Sequence, residues 1–198
     1  PRSDDMAKAP GVFLLEGGWS PKLTSTDSAL LLLTYLRDSD VISAVAHRYV
    51  DTKDGLLDAA QKWGQKQYRH LSIGYFGFHG GPGVVRLGRT EIELEELTEV
   101  LEGRCANRVI YFASCAVLAG KAKAAEQFLK ATGARAVIGY TKYVDWMESS
   151  AFDLLLFEAL TRYQHLRPAE NWLRTTYPDV VDRLGLKVLH RSPSRRET

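Results

Sequence analysis

The sequence predicts an α/β sandwich, a mostly parallel sheet of about six strands with helices on both faces. Three observations predict it. Short apolar runs alternate with longer amphipathic stretches along the 198 residues, which is how strands joined by crossover helices read. The third such run, LSIGYFGF (71–78), is apolar on both of its alternating faces and so needs cover on each side. No internal repeat, low-complexity tract or splitting linker breaks the pattern, and the length suits one domain with a sizeable core. A single domain is therefore expected over 11–192. A disordered or non-native stretch at 1–10 and a disordered tail at 193–198 would flank it.

Each element has its own local reason. GVFLLEG (11–17) is a short apolar run flanked by Pro and Gly and reads as a buried strand. Asp27 is a candidate N-cap for a helix through ALLLLTYLRD, and AVAHRYV (44–50) is the second strand. Residues 54–69 read as an amphipathic helix with Leu56, Leu57, Ala60, Trp63 and Gln67 near one face. After the third strand comes a Gly-rich loop, HGGPG (79–83), then a small hairpin, VVRLGRTEI (84–92). IELEELTEVLEG (92–103) is a helix stopped by Gly103, its acids forming a solvated face. NRVIYFAS (107–114) is the fourth strand, 120–132 a helix closed by Gly133, and ARAVIGYT (134–141) the fifth strand. SSAFDLLLFEALTRY (149–163) is a helix capped by a serine, and Pro168 starts a short helix to about Tyr177. LKVLHRS (186–192) is a sixth strand near the sheet edge.

Composition narrows the function classes. With 26 Lys and Arg against 24 Asp and Glu, the net charge of +2 gives no electrostatic case for nucleic acid, although the RSPSRRET end is basic. No apolar run reaches the roughly 20 residues of a membrane-spanning helix; ALLLL (29–33) is too short, and the N-terminus lacks the form of a signal peptide. Two cysteines, Cys105 and Cys115, are too few for a secreted disulfide scaffold, so a cytoplasmic setting is expected. No His, Cys or carboxylate cluster has metal-site spacing, and HGGPG lacks the GK[ST] ending of a phosphate loop. No metal or cofactor is expected. Cys105, His47, His165 and His190 read as structural.

In open parallel sheets chemistry sits at the carboxyl ends of the strands. The third strand runs into His79 and then Gly80, and the fourth into Ala113, Ser114 and Cys115. If the two strands are neighbours, an imidazole and a thiol rise from one edge, His79 as general base and Cys115 as nucleophile. The helix expected from 120 would favour the thiolate through its N-terminus. Glycine at 80 lets the backbone approach a ligand closely, and the N–H groups of Gly80 and Cys115 suit an oxyanion hole. Trp19, in GGWS, either walls a pocket or serves structure. A lone strand-end cysteine more often packs than reacts; it is the conjunction of the two strand ends that points to chemistry.

The segments FHG (78–80) and YFASC (111–115) resemble the histidine and cysteine blocks of caspase-fold cysteine peptidases. EQFLKATGARAVIGY (126–140), YVDW (143–146) and LLLFEAL (154–160) are similar to the CHAT branch of that group, and the resemblance runs from about 71 to 163. It implies a caspase-like three-layer α/β/α fold. It also implies peptide-bond hydrolysis by a Cys115/His79 dyad without a required third member. By analogy with small bacterial relatives, it implies a defence role in which a partner protein such as a gasdermin is cleaved. The resemblance also places the first specificity pocket at the loop after the fifth strand, with Asp145, Trp146 and Glu148. A carboxylate there pairs well with a guanidinium, so cleavage after a basic residue is expected, with Asp145 as the main determinant; alternatively, either carboxylate caps the following helix. Loops 80–90 and 140–148 are expected to be mobile. Two other functions compete: a catalytically silent caspase-like module that binds a partner protein, and a flavodoxin-like binding domain, for which GGWSPK is a poor nucleotide loop.

Overall fold

The computed structural model describes residues 9–20, 22, 25–120 and 122–191; the expected irregular ends fall almost wholly outside them. In chain order the elements are β1 (Gly11–Glu16), α1 (Leu30–Asp38), β2 (Ala44–Tyr49), α2 (Lys53–Trp63), β3 (Ile73–Gly77), β4 (His79–Gly81), β5 (Val84–Leu87) and β6 (Thr90–Glu93). There follow α3 (Leu94–Leu101), β7 (Val109–Phe112), α4 (Ala122–Thr132), β8 (Ala136–Tyr140), α5 (Trp146–Arg162), α6 (Leu166–Thr176), α7 (Pro178–Leu184) and β9 (Leu186–His190).

Six strands form the main sheet in the order β2-β1-β3-β7-β8-β9. The first five run parallel and β9 returns antiparallel along β8. Alternation along each strand divides the core in two. Phe13, Leu15, Phe76 and Phe112 face a layer made with α2, α3 and α4. Val12, Leu14, Tyr75 and Tyr111 face a layer made with α1, α5, α6 and α7. The result is a three-layer α/β/α sandwich, as the alternation and the two-faced third strand predict. The chain winds first from β1 outward to β2 and then back past β1 to β3. The carboxyl ends of β1 and β3 therefore border the crevice where the winding reverses, the usual ligand position in such sheets.

Several elements differ from expectation. The helix expected to reach residue 69 stops at Trp63, and a single turn at Lys66–Tyr68 follows with Gln67 exposed. Trp63 ends it by turning inward, its Nε1 donating to the Leu71 carbonyl at 2.8 Å. HGGPG is no open loop: His79–Gly81 pairs with β5, which pairs with β6, giving a separate three-stranded antiparallel sheet. The stretch 80–90 thus carries strand pairing over most of its length, where a Gly-rich loop was expected. Val85, Leu87 and Ile92 bury this small sheet in the α2–α4 layer. α5 begins three residues before the predicted serine because Asp145 caps it. α7 was not expected; Pro178 opens it, a favoured first-turn position, and Gly185 closes it at φ 64°.

Candidate active site

β3 and β7 are neighbours, with Phe76 opposite Phe112, so the two strand ends lie side by side. Buried Ser114 fixes them together. Its Oγ accepts from the Phe78 N–H and donates to the Phe76 carbonyl, both at 3.1 Å. One residue beyond each anchor stand His79 and Cys115, and both line a pocket of about 300 Å³ with Trp19, Phe78, Ala113, Val144 and Trp146. The conditional expectation of a shared edge therefore holds. A slightly larger cavity, about 370 Å³, lies between β2 and α2 and has neither cysteine nor serine in its lining.

The thiol and the imidazole are each held by backbone rather than by one another. Val144 N–H donates to Cys115 Sγ at 3.5 Å, and the thiol points to the Val144 carbonyl at 3.6 Å. His79 Nε2 lies 3.0 Å from the Trp19 carbonyl. A carbonyl only accepts, so Nε2 is the donor, and in the neutral ring this makes Nδ1 the basic nitrogen. Trp19 packs edge-on against both the His79 ring (5.7 Å between centroids) and the Trp146 ring (4.6 Å), and the three rings form one wall.

Backbone geometry around the nucleophile is unusual. Ala116 is buried and left-handed at φ 53°, a strained conformation for a residue with a side chain, and its N–H donates to the Lys142 carbonyl at 2.9 Å. A three-residue turn, Val117–Ala119, follows. The expected helix N-terminus therefore does not meet Cys115, since α4 starts only at Ala122. Gly80 lies flat on this backbone: a Cβ there would overlap the Cys115 carbonyl and stand 3.1 Å from its nitrogen. Among the described residues nothing accepts from the Cys115 N–H, which leaves that donor available at the predicted oxyanion position.

Two of the three specificity residues are elsewhere. Asp145 Oδ1 accepts from the N–H groups of Met147 (2.9 Å) and Glu148 (3.0 Å), so it caps α5. Glu148 pairs with Arg183 at 2.6 Å. Neither lines the pocket; Trp146 does, and Asp27 and Ser149 complete it. Asp27 is correspondingly not the N-cap of α1. That helix start is served from β1: Ala29 N–H donates to Glu16 Oε2 at 3.1 Å.

Cys105 is fully buried, and burial pushes its thiol up to about 12 despite the nearby Arg108 guanidinium, which makes it inert at neutral pH. His190 pairs with Glu170 at 2.6 Å on the far helix. His47 meets Glu16, 2.9 Å away, though out of hydrogen-bond alignment. Glu16, Ser149 and the Val144 backbone were not singled out from the sequence. An acid closing the apolar run GVFLLEG was the available signal for Glu16, because a buried carboxylate demands partners. Among the described residues no group of three or more His, Cys, Asp or Glu has the arrangement of a metal site, and no helix is long and apolar enough to cross a membrane.

No curated protein matches the sequence. A family of unknown function, DUF6642, matches residues 10–190, which span both sheets and the whole pocket, and the chain belongs to that family.

Proposed function

We propose that this chain is a cysteine endopeptidase in which Cys115 is the nucleophile and His79 the base. The observation that carries the reading is the pairing, in one pocket, of a half-buried thiol with an imidazole whose Nε2 is already engaged by the Trp19 carbonyl. In the reaction, Nδ1 takes the thiol proton as sulfur attacks the peptide carbonyl carbon. The oxygen of the tetrahedral intermediate receives the Cys115 and Gly80 N–H groups. Collapse breaks the C–N bond, and the imidazolium returns its proton to the leaving amine. Water, deprotonated by the same imidazole, then hydrolyses the thioester and restores the thiol. Apart from the hydrolytic water, every group in this cycle belongs to the chain or the substrate.

The pocket supports a basic residue before the scissile bond. Trp19 and Trp146 put two indoles in the lining, a residue type suited to a cation, and Asp27 is the carboxylate of the lining. Asp27 therefore takes the part first given to Asp145. By the resemblance to the CHAT branch, the natural substrate is a partner protein in a bacterial defence system, such as a gasdermin, met in the cytoplasm. A peptidyl warhead ending in Arg is expected to label Cys115, as read by mass mapping. Cys115→Ala removes the label, and His79→Ala slows it by about 100-fold or more. A silent binding module predicts no label on the wild-type protein, and that result would reject the enzyme.

A further inference from the structure

The carboxylate of Glu16, 1% exposed at the end of β1, gathers four groups from three segments. Ser28 Oγ donates to Oε1 at 2.5 Å, and His47 Nε2 stands 2.9 Å from the same oxygen. Trp19 Nε1 and the Ala29 N–H donate to Oε2 at 3.2 and 3.1 Å. Trp19 and Ala29 lie near the two ends of the β1–α1 connection, so one buried anion pins both. Such a group is costly to bury and stays only where it is well paired.

We propose that Glu16 is a positioning residue for His79, acting through Trp19. The chain leaves β1 through Gly17 and Gly18, which offer no side chain as an anchor. Nor is there room for one, since a Cβ on Gly17 would run into Leu87 and Phe78. The indole of Trp19 is thus the first handle after the strand. It lies across Gly77, where a Cβ would come 3.1 Å from the indole Cζ2, and its N–H is tied to Glu16. With the ring fixed at that point, the Trp19 carbonyl is aimed at His79 Nε2, 3.0 Å away, and the ring edge limits how the imidazole can turn. Glu16 is not itself in the pocket lining and meets it through Trp19. Its effect is to select the His79 tautomer that leaves Nδ1 unprotonated. The proposal rests on the peptidase reading only for its consequence at Cys115.

The test uses the full chain and two readouts. Nitrogen-15 NMR of histidine-labelled protein, with His79→Gln for assignment, reports the His79 tautomer. Iodoacetamide alkylation of Cys115, followed against pH, reports what the base does. The wild-type protein should show the Nε2–H tautomer. Trp19→Phe keeps a ring and the carbonyl but removes the indole N–H; Glu16→Leu removes all the acceptors. Both should give a mixed tautomer and slow alkylation near pH 7 by about tenfold, the scale seen when the orienting partner of a functional imidazole is lost. Glu16→Gln keeps an oxygen for Trp19 and Ala29 and should stay within about twofold of wild type. A purely structural Glu16 would lower the melting temperature and leave tautomer and pH profile unmoved. That result in Trp19→Phe, which decides the matter if Glu16→Leu does not fold, overturns the proposal. A tautomer change without any change in alkylation, with His79→Ala equally without effect, upholds the positioning role and rejects His79 as the base.

Discussion

Removing the Asp145 carboxylate should cost stability and nothing else. It accepts two N–H bonds at the start of α5, and loss of such a cap typically costs about 1 kcal/mol. Asp145→Ala is therefore expected to melt a few degrees lower and to keep its residue preference. Asp27→Asn is expected to do the reverse, keeping its melting temperature and losing about tenfold in preference for Arg over a neutral residue. Melting curves and a peptide library varied at one position check both, and unchanged selectivity in Asp27→Asn would remove Asp27 from the pocket's chemistry. The sequence could not separate these two acids. Asp145 lies two residues after Tyr143 and one before Trp146, in a spacing that suits a pocket or a cap equally; one side-chain torsion decides between them. Asp27 looked like a cap because it precedes an apolar run. Its competitor, Glu16, lies 11 positions upstream and reaches that helix only through the fold.

On the scale of an element, α5 is anchored by a buried acid. Asp153, 2% exposed, accepts from Tyr75 (2.7 Å) and Tyr111 (2.6 Å), and Tyr111 also meets the Tyr140 hydroxyl at 2.5 Å. Burial raises the Asp153 carboxyl from its ordinary 3.8 to about 7, against the opposing pull of the Tyr111 and Tyr75 hydrogen bonds. Burial also holds all three tyrosines well above their ordinary range, so they stay protonated. The folded chain thus keeps a proton on Asp153 that the unfolded chain releases. Its contribution to stability is complete below the ordinary carboxylate value and is lost as pH rises toward 7. Asp153→Asn should flatten that fall and be the more stable protein at pH 8, by about 4 kcal/mol at most. Denaturant melts from pH 4 to 8 measure it, and parallel curves for the two proteins would contradict it. In the sequence Asp153 is only a polar interruption in FDLLLF; its partners lie 78 and 42 residues away on β3 and β7. Trp146 stands two helical turns earlier on α5, so this anchor and the pocket wall share one rigid element.

For the whole molecule, strand–helix alternation was enough to give the layers and the parallel sheet, because those follow from apolar periodicity; the adjacency of β3 and β7 stayed a condition, which the pairing of Phe76 with Phe112 meets. The small sheet was half legible. The VVRLGRTEI hairpin was apparent, but the pairing of His79–Gly81 with β5 was hidden because three residues rich in glycine carry no strand pattern. That pairing divides the proposed dyad. Cys115 follows a strand of the large sheet, and His79 opens the first strand of the small one. The small sheet itself meets the Cys115 segment through Gly83 N–H to the Val117 carbonyl at 3.1 Å and through Gly80 flat on Cys115, while the Ser114 Oγ ties the Phe78 N–H just before it. Hydrogen exchange should find β4–β6 opening ahead of β1, β3 and β7, and Cys115 labelling should be lost at lower urea than the main unfolding step; coincident loss would show one cooperative unit. Under the proposed function, docking of the small sheet would complete the site: a chain with β4–β6 undocked would carry the Cys115 thiol without the His79 imidazole.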